Sequence, residues 1–335
     1  MRAVKLFRLA AASWALAAAV FLPIHVDAET VAPQTFTMGT TLVTSAEGEV
    51  LEPGFPFTCI VYGPNAAEAV RATLVGPDGV STAAASFFPF AKDAGEGPIR
   101  VAILAVPNNA KSGVSTVRAY AADGSIIAEI ALLVLKRAFI SDTILLDAKN
   151  TAIRTVSDPK KTAEAEELWK ILSRFDPTAY WSTEAFTLPL DSTRRTSGFG
   201  DRRLYRYSTG AEETSVHAGI DFGVPVGTPV RSTAAGKIVL VRERIITGKS
   251  VVIEHLPGVF SQYYHLSRTD VAEGTIIPAG TVIGLSGSSG LSTGPHLHWE
   301  LRVGGEAADP DALVARRLLD KDFVLSKIKG SSAPD

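Results

Sequence analysis

Two histidines separated by one residue, His296 and His298, stand in a segment whose pattern is typical of a β-strand. Side chains of a strand point to alternate faces, so both imidazoles share a polar face with Glu300 and Arg302. The other face is apolar and is formed by Leu297, Trp299, Leu301 and Val303. Imidazole nitrogens are common zinc ligands, and a Gly-rich loop leads into this strand. The polar face is therefore a candidate part of a metal site.

A second polar pair, His217 and Asp221, can supply the remaining ligands. In an extended segment these two side chains point the same way, and Gly219 between them leaves room for close approach. Catalytic zinc takes three protein ligands and keeps a fourth position for water, whereas a closed structural site needs a fourth protein ligand. His217, Asp221 and one histidine of the His296/His298 pair form a catalytic set. The spacing alone does not choose between those two histidines.

Five of the six histidines lie between residues 217 and 298, and this clustering indicates a site. His265, which follows two tyrosines, is a candidate for a role other than metal binding, such as holding water or transferring a proton. His255 is interpreted as structural, because the zinc mechanism leaves no role for it. Glu300 could orient a metal ligand through a hydrogen bond, or it could be a solvated strand residue.

Four motifs occur in order along the C-terminal half of the chain, with a Gly-rich stretch over residues 284–290 before the last of them. They are Ser197-Gly198-Phe199-Gly200-Asp201-Arg202, His217-Ala218-Gly219-Ile220-Asp221-Phe222, Tyr264-His265-Leu266-Ser267 and Gly294-Pro295-His296-Leu297-His298. Residues 187–310 thereby resemble the LytM/lysostaphin-type zinc endopeptidases, which cleave peptide cross-links of bacterial peptidoglycan. The first motif is interpreted as a structural turn at the rim of the substrate groove.

The resemblance implies a role for each site residue. His217, Asp221 and His298 would bind one Zn²⁺ ion, and His265 and His296 would be the catalytic histidines that do not bind it. The implied fold is a compact antiparallel β-domain with a groove across it. The implied function is a secreted zinc metalloendopeptidase that hydrolyses cross-links or stem peptides of peptidoglycan through a zinc-bound water.

Two other functions are compatible with the same motifs. The first is a non-catalytic or autoinhibited wall-binding regulator of another cell-wall hydrolase, its groove covered by the connector helix or the N-terminal domain. The second is a zinc D,D-carboxypeptidase, which the Gly-Pro-His-Leu-His pattern after a Gly-rich turn argues against. Peptidoglycan is the expected partner under the enzymatic hypotheses, with proteins of cell division or wall remodelling as further candidates.

The elements that must position these residues predict a mainly β chain in several parts. Residues 29–137 alternate short apolar runs with turns, which favours an immunoglobulin-like β-sandwich. Residues 138–186 form a connector with one amphipathic helix that begins at Asp158-Pro159 and carries the apolar stripe Leu168, Ile171, Leu172 and Phe175. Residues 187–310 are the peptidase-like domain, and residues 311–335 are a C-terminal helix and tail.

The first 28 residues have the pattern of a secretory signal, with basic residues, an apolar run and small residues before a cleavage site after Ala28. An uncleaved anchor is the alternative reading. No later segment is long and apolar enough to span a bilayer, so the expected location is the periplasm or cell envelope. The net charge of −2 excludes a nucleic-acid-binding class that depends on a basic face. Cys59 is the single cysteine, which excludes an intramolecular disulfide and favours a buried structural thiol.

Overall fold

The computed structural model describes residues 40–46, 51–90, 98–314 and 316–330. The predicted signal at residues 1–28 lies outside these ranges. All of the described residues belong to one unit of the chain, Ala32–Asp335. Within the described part of the chain, every helix is too short or too polar to cross a membrane.

The N-terminal part consists of two four-stranded antiparallel sheets. The first has the order β1 (Thr41–Thr44), β2 (Pro56–Tyr62), β6 (Ile99–Ala105) and β5 (Phe88–Pro89). The second has the order β4 (Ser81–Ser86), β3 (Arg71–Val75), β7 (Gly113–Tyr120) and β8 (Ile126–Val134). Short strands separated by turns are what the alternating pattern of residues 29–137 predicted.

A shared apolar core holds the two sheets face to face. Phe57 and Leu104 from the first sheet are buried in one cluster with Leu74 and Val117 from the second. Cys59 is fully buried in the same cluster, which confirms its interpretation as a structural thiol. The two-layer architecture is thus as expected, and the specifically immunoglobulin-like topology stays a prediction.

The connector contains more structure than the single helix expected from the sequence. Strand β9 (Ser141–Leu145) and helix α1 (Ala148–Thr155) precede the predicted helix, α2 (Pro159–Leu172). The expectation of one helix was wrong because α1 is short and its strongest signal is a cap: the Asp147 carboxylate accepts from the backbone N–H of Asn150 at 2.7 Å. Strand β9 was missed because it pairs with a distant segment.

Helix α2 begins as predicted and packs on the C-terminal sheet. The Asp158 carboxylate accepts from the backbone N–H of Lys160 at 2.8 Å, and Pro159 occupies the first turn. Leu172 is buried, and with Leu168 and Ile171 it contacts Leu240, Val252 and Phe260. The helix ends at Leu172, so Phe175 lies beyond it and packs elsewhere.

The C-terminal part is built on an eight-stranded antiparallel sheet. Its order is β10 (Arg195–Ser197), β13 (Gly219–Phe222), β21 (Leu297–Val303), β17 (Val259–Leu266), β16 (Gly248–Leu256), β15 (Gly236–Arg244) and β19 (Ile276–Ile277), with β22 (Glu306–Ala308) also paired to β21. Two three-stranded sheets flank it. One is β12 (Glu212–Val216), β11 (Arg202–Arg206) and β9, and the other is β14 (Pro229–Arg231), β20 (Val282–Leu285) and β18 (Arg268–Thr269).

Strand β9 pairs in parallel with β11, which attaches the connector to the C-terminal part. After β22 the chain forms a 3-10 turn, Pro310–Ala312, and helix α3 (Lys321–Gly330). The predicted C-terminal helix therefore begins about ten residues later than the pattern suggested, and its Val324 and Ile328 are buried.

The two parts share a second core. Ile60 and Val101 of the first N-terminal sheet are buried in one cluster with Val259, Leu301 and Val303 of the C-terminal sheet. Strand β2 is consequently buried along both faces. The N-terminal sandwich is therefore packed against the C-terminal sheet and is not a loosely tethered spacer.

Candidate metal centre

Neighbouring strands of the eight-stranded sheet bring the candidate ligands together. In the β13–β21 pairing Asp221 lies directly opposite His298. Tyr264 of β17 lies opposite His298 on the other side, and its ring stacks on the imidazole with centroids 5.3 Å apart. His217 directly follows β12, and its backbone N–H donates to Asp201 O at 2.9 Å. The sheet register thus positions Asp221 and His298, and the backbone hydrogen bond to Asp201 positions His217.

Three atoms that could donate a lone pair to a metal ion converge at one point among these strands. His217 Nε2 lies 3.1 Å from Asp221 Oδ1 and 3.0 Å from His298 Nδ1. The third edge, from His298 Nδ1 to Asp221 Oδ1, is 2.9 Å. All three residues are buried. These separations are close to the roughly 3.3 Å expected between ligands about 2.0 Å from a tetrahedral zinc ion.

The outer partners of the two imidazoles support a cation between them. His217 Nδ1 lies 2.7 Å from Gly198 O, an acceptor, so this nitrogen carries the proton. His298 Nε2 lies 3.1 Å from the Glu300 carboxylate, which likewise favours a proton on that nitrogen. Both lone pairs then face the Asp221 oxygen. Three acceptors held about 3 Å apart in a buried site fit a metal ion, and their chemistry fits zinc.

Charged neighbours hold the two carboxylates in their ionised forms. Arg203 Nη2 donates to Asp221 Oδ2 at 2.5 Å, on the side of the carboxylate away from the histidines. Burial favours protonation of Asp221, but the adjoining His217 and His298 side chains hold the pKa of that carboxyl well below its usual range. Burial acts in the same direction on Glu300, and Arg302 and His298 lower the pKa of that carboxyl to about 2. Both side chains are therefore acceptors at neutral pH.

His265 and His296 lie beside the three donors but outside their triangle. Their ring centroids are 4.7 Å apart, and His296 Nε2 is 3.9 Å from Asp221 Oδ1. His265 Nδ1 lies 2.7 Å from Ser289 O, and His296 Nδ1 lies 2.8 Å from Gly294 O. Both side chains line the same cavity as the three donors. Because Nδ1 of each ring donates to a carbonyl oxygen, Nε2 of each neutral ring keeps its lone pair.

His265 has an unusual backbone as well as an unusual pKa. Its φ of 60° is the only positive value among the described non-glycine residues. This conformation is uncommon for a non-glycine residue and costs roughly 1 to 3 kcal/mol, so the surrounding structure must impose it. Burial, with help from His296 and His298, lowers the pKa of His265 to about 3. The imidazole is therefore neutral at physiological pH.

The structure thus gathers all five predicted site residues at one cavity, while their individual roles stay predictions. Strand β21 begins at Leu297, so His296 lies just before it and is bridged to Gly287 instead. This is the geometric reason why His298 sits within the triangle and His296 does not. The apolar face of the strand is buried as expected, with Trp299 fully enclosed.

Other residues singled out in the sequence have structural surroundings. His255 is fully buried, with Nδ1 2.7 Å from Ala235 O and Nε2 2.7 Å from Ser261 Oγ. It is absent from the described lining of the cavity. In the first motif, the turn at Gly200 (φ 78°) presents Gly198 O to His217. These contacts agree with a structural role for each.

Arg203 is a site residue that sequence reasoning missed. It follows Arg202, whose guanidinium instead lies over Phe139 and donates to Asn108 O at 2.9 Å. The contact of Arg203 with Asp221 joins strands of two different sheets, so it has no local signature. Glu300 was left open, and the structure shows that it is buried against His298.

Comparisons with known proteins agree with this geometry. The family profile described as Peptidase family M23 matches residues 215–310. A protein of Neisseria meningitidis serogroup B named DD-carboxypeptidase/endopeptidase Mpg is 43% identical over 122 residues, which are 36% of this chain and 27% of that protein. The peptidoglycan DD-endopeptidase ShyA of Vibrio cholerae is 42% identical over 118 residues, which are 35% of this chain and 27% of that protein. The matched segment thus spans about a quarter of the length of these curated relatives.

A solved structure resembles a larger share of the fold. A putative peptidase M23 from Pseudomonas aeruginosa has a TM-score of 0.52 and 24% sequence identity, and the match covers 82% of this chain and 93% of that one. At this identity the likeness concerns the fold alone. It extends well beyond the segment matched by the family profile.

Proposed function

We propose that the protein is a zinc metalloendopeptidase that hydrolyses peptide bonds of bacterial peptidoglycan, and the match of residues 215–310 to peptidase family M23 supports this. The observation that carries this proposal is the convergence of three donor atoms within about 3 Å of one another, beside two further histidines in one cavity. A structural zinc site would give no reason for the extra pair.

His217, Asp221 and His298 would hold the ion through Nε2, a carboxylate oxygen and Nδ1. A bound zinc ion supplies a Lewis acid that polarises the scissile carbonyl and acidifies water. Arg203 keeps the Asp221 carboxylate ionised and oriented, and Glu300 does the same for the His298 ring. The buried site excludes bulk water, which strengthens each of these interactions.

His265 and His296 would move protons and stabilise developing charge. With Nδ1 donating to a carbonyl oxygen, each ring can accept a proton at Nε2 from the attacking water. The protonated ring can then donate from Nε2 to the tetrahedral oxyanion or to the leaving amine. Two such rings 4.7 Å apart allow one to act as base while the other is a donor.

The names of the curated relatives support a wall peptide as substrate, since they include DD-endopeptidases. The signal pattern of residues 1–28 supports export, with action in the periplasm or cell envelope. Within this setting the cleaved bond would lie in a cross-link or a stem peptide of peptidoglycan.

Two substitutions test the assigned roles. His298→Ala should lose both bound zinc, measured by metal analysis of the purified protein, and digestion of peptidoglycan on a zymogram. His265→Ala should retain zinc and lose at least a hundredfold in rate, because it removes a proton-transfer group but no ligand. Each variant is the control for the other. Full activity in either one would contradict the mechanism.

One observation favours an autoinhibited enzyme as the second candidate: the connector lines the metal-site cavity through Ile144, Leu146 and Arg154. Asn150 of α1 ties this wall to the loop before β21, as its Nδ2 donates to Ser292 O at 3.2 Å. If the wall is a cover, Asn150→Ala should raise the rate of wall digestion. If the wall is part of the substrate site, the same change should leave the rate unchanged or lower it.

A further inference from the structure

One wall of the metal-site cavity comes from outside the segment that matches the peptidase family. Ile144, Leu146 and Arg154 precede that segment by about 60 residues or more, and with Tyr205 of β11 they line the cavity that holds the three donor atoms. The groups on a cavity wall decide which parts of a substrate are bound and in what orientation. Determinants of substrate choice are therefore expected here.

Arg154 is the charged residue of this wall, and its guanidinium is held in place. It lies over the Tyr205 ring, 4.1 Å from the centroid. Nη2 donates to Glu213 Oε1 at 2.7 Å, and Nε donates to Tyr207 Oη at 3.1 Å. The side chain is 19% exposed. Stacking and hydrogen bonds along one edge fix the plane of the group.

The other edge of the guanidinium is available to a ligand. Within the described residues, the hydrogen bonds of Arg154 use Nε and Nη2 and leave Nη1 without a protein acceptor. Nη1 is not among the buried polar atoms that lack a partner, so water or a ligand can reach it. A guanidinium has five N–H donors in a planar fork and can serve two carboxylates at once. Glu213 therefore occupies one side and leaves the other for an anion.

We propose that Arg154 binds a free carboxylate of the peptide that is cleaved, and so selects charged stem peptides over uncharged bridges. This inference rests on the proposed function. Peptidoglycan stems end in a free α-carboxylate and can carry another on a diamino-acid side chain, whereas a glycyl bridge has none. Arg154 is thus a specificity residue, which orients the substrate from a wall that the family match does not include.

The test uses the full chain, zinc-loaded, with three synthetic cross-linked muropeptides. One has all of its carboxylates free, one has the C-terminal carboxylate amidated, and one has the diamino-acid side-chain carboxylate amidated. In the wild-type protein, amidation of the bound carboxylate should raise KM roughly tenfold, because a charge-assisted hydrogen bond is lost. Amidation of the other carboxylate should change KM less than twofold, which identifies the group.

Arg154→Met should raise KM roughly tenfold for the peptide with free carboxylates, with kcat almost unchanged. For the peptide whose amidation raises KM in the wild type, the same variant should raise KM less than twofold. Arg206→Met is the matched control, since Arg206 of β11 pairs with Glu212 at 2.8 Å, one residue before Glu213, and does not line the cavity. It should not alter KM for any of the three peptides.

Three outcomes overturn the inference and are distinguishable. Equal KM values for the three peptides in the wild type show that no carboxylate is read, whether or not the Arg154 variant folds. Cleavage of none of the peptides overturns the proposed function, and this inference with it. A rise in KM for all peptides alike in Arg154→Met assigns the residue a structural role instead.

Discussion

At the scale of single residues, the metal centre depends on groups behind the ligands as much as on the ligands themselves. Glu300 is the clearest case, because its carboxylate lies 3.1 Å from His298 Nε2 and accepts from Gln262 Nε2 at 3.0 Å. Arg302 also donates to it. Because Nε2 of His298 is held by this network, its other nitrogen, Nδ1, faces Asp221 and His217. Outer partners of this kind fix the tautomer and orientation of a ligating histidine.

We expect Glu300→Ala to weaken zinc binding about 10- to 100-fold, because the His298 ring loses its orienting acceptor. Glu300→Gln should weaken it less, since the amide oxygen can still accept from Nε2. Competition with a chromogenic chelator measures the affinity directly, without reference to catalysis. Glu129→Ala is a control that breaks an ion pair with Arg118 in the sandwich. Wild-type zinc affinity in Glu300→Ala would disprove the positioning role.

At the scale of elements, the close pairing of β13 with β21 sets the position of Asp221 against His298. Gly219 lies opposite Glu300 in this pairing, and a Cβ built there would lie 2.3 Å from Trp299 O. The obstacle is backbone in the middle of a sheet, so it cannot move aside as a flexible side chain would. The glycine is therefore required by strand contact, which extends its expected role of leaving room between His217 and Asp221.

We expect Gly219→Ala to lower the free energy of unfolding by about 2 kcal/mol or more and to weaken zinc binding, because β13 must move away from β21. Thermal unfolding with and without zinc measures both effects. Gly294→Ala is a matched control in the same site, since a Cβ there meets nothing within 4 Å and its φ is not positive. It should unfold like the wild type. Equal stability of the two variants would contradict the expected clash.

Strand β16 carries a buried histidine that makes stability depend on pH. Burial is the main cause that lowers the pKa of His255 from 6.5 to about 4, because the charged ring would lie among apolar groups. Between these values the unfolded chain binds more protons than the folded one. Stability is therefore full above about pH 6.5 and falls as the pH is lowered towards 4.

We expect this histidine to account for about 3 kcal/mol of the free energy of unfolding lost between pH 7 and pH 4. Urea unfolding of the wild type and of His255→Gln at several pH values isolates the effect as a difference in slope. The Gln variant can be less stable at every pH, but its stability should depend less steeply on pH. Parallel curves for the two proteins would refute the assignment.

At the scale of the whole molecule, the sandwich and the C-terminal sheet are parts of one packed body. Leu301 and Val303 of β21 are almost fully buried in a cluster that includes Ile60 and Val101 of the sandwich. Arg137 also pairs with Asp309 at 2.6 Å. Strand β21 thus carries His298 of the proposed metal site at one position and an interface with the sandwich a few residues later. The metal site and the sandwich are connected through it.

We expect a chain that lacks residues 29–137 to aggregate or to unfold at a lower temperature. Its C-terminal sheet would expose to water the apolar face that the sandwich normally covers. Size-exclusion chromatography and thermal unfolding measure this. Co-expression of residues 29–137 as a separate chain should restore solubility, which serves as the control. A truncated chain that is monomeric and as stable as the full chain would show that the shared core contributes little.

The sequence by itself determined the mainly β class, the alternation of strands and turns in the sandwich, the start of α2, the resemblance of the C-terminal part to a peptidase family and the five residues that meet at the cavity. These features follow from local patterns, because side-chain alternation, helix caps and sequence motifs each depend on a few neighbouring residues. Tertiary structure alone decided the rest. Arg203 and Arg154 reach the site from other sheets and from the connector, and β9 exists only because β11 lies beside it. Spacing left His296 and His298 equivalent, and the register of β21 against β13 and β17 separates them, since it places a nitrogen of His298 at one corner of the ligand triangle and leaves His296 outside it.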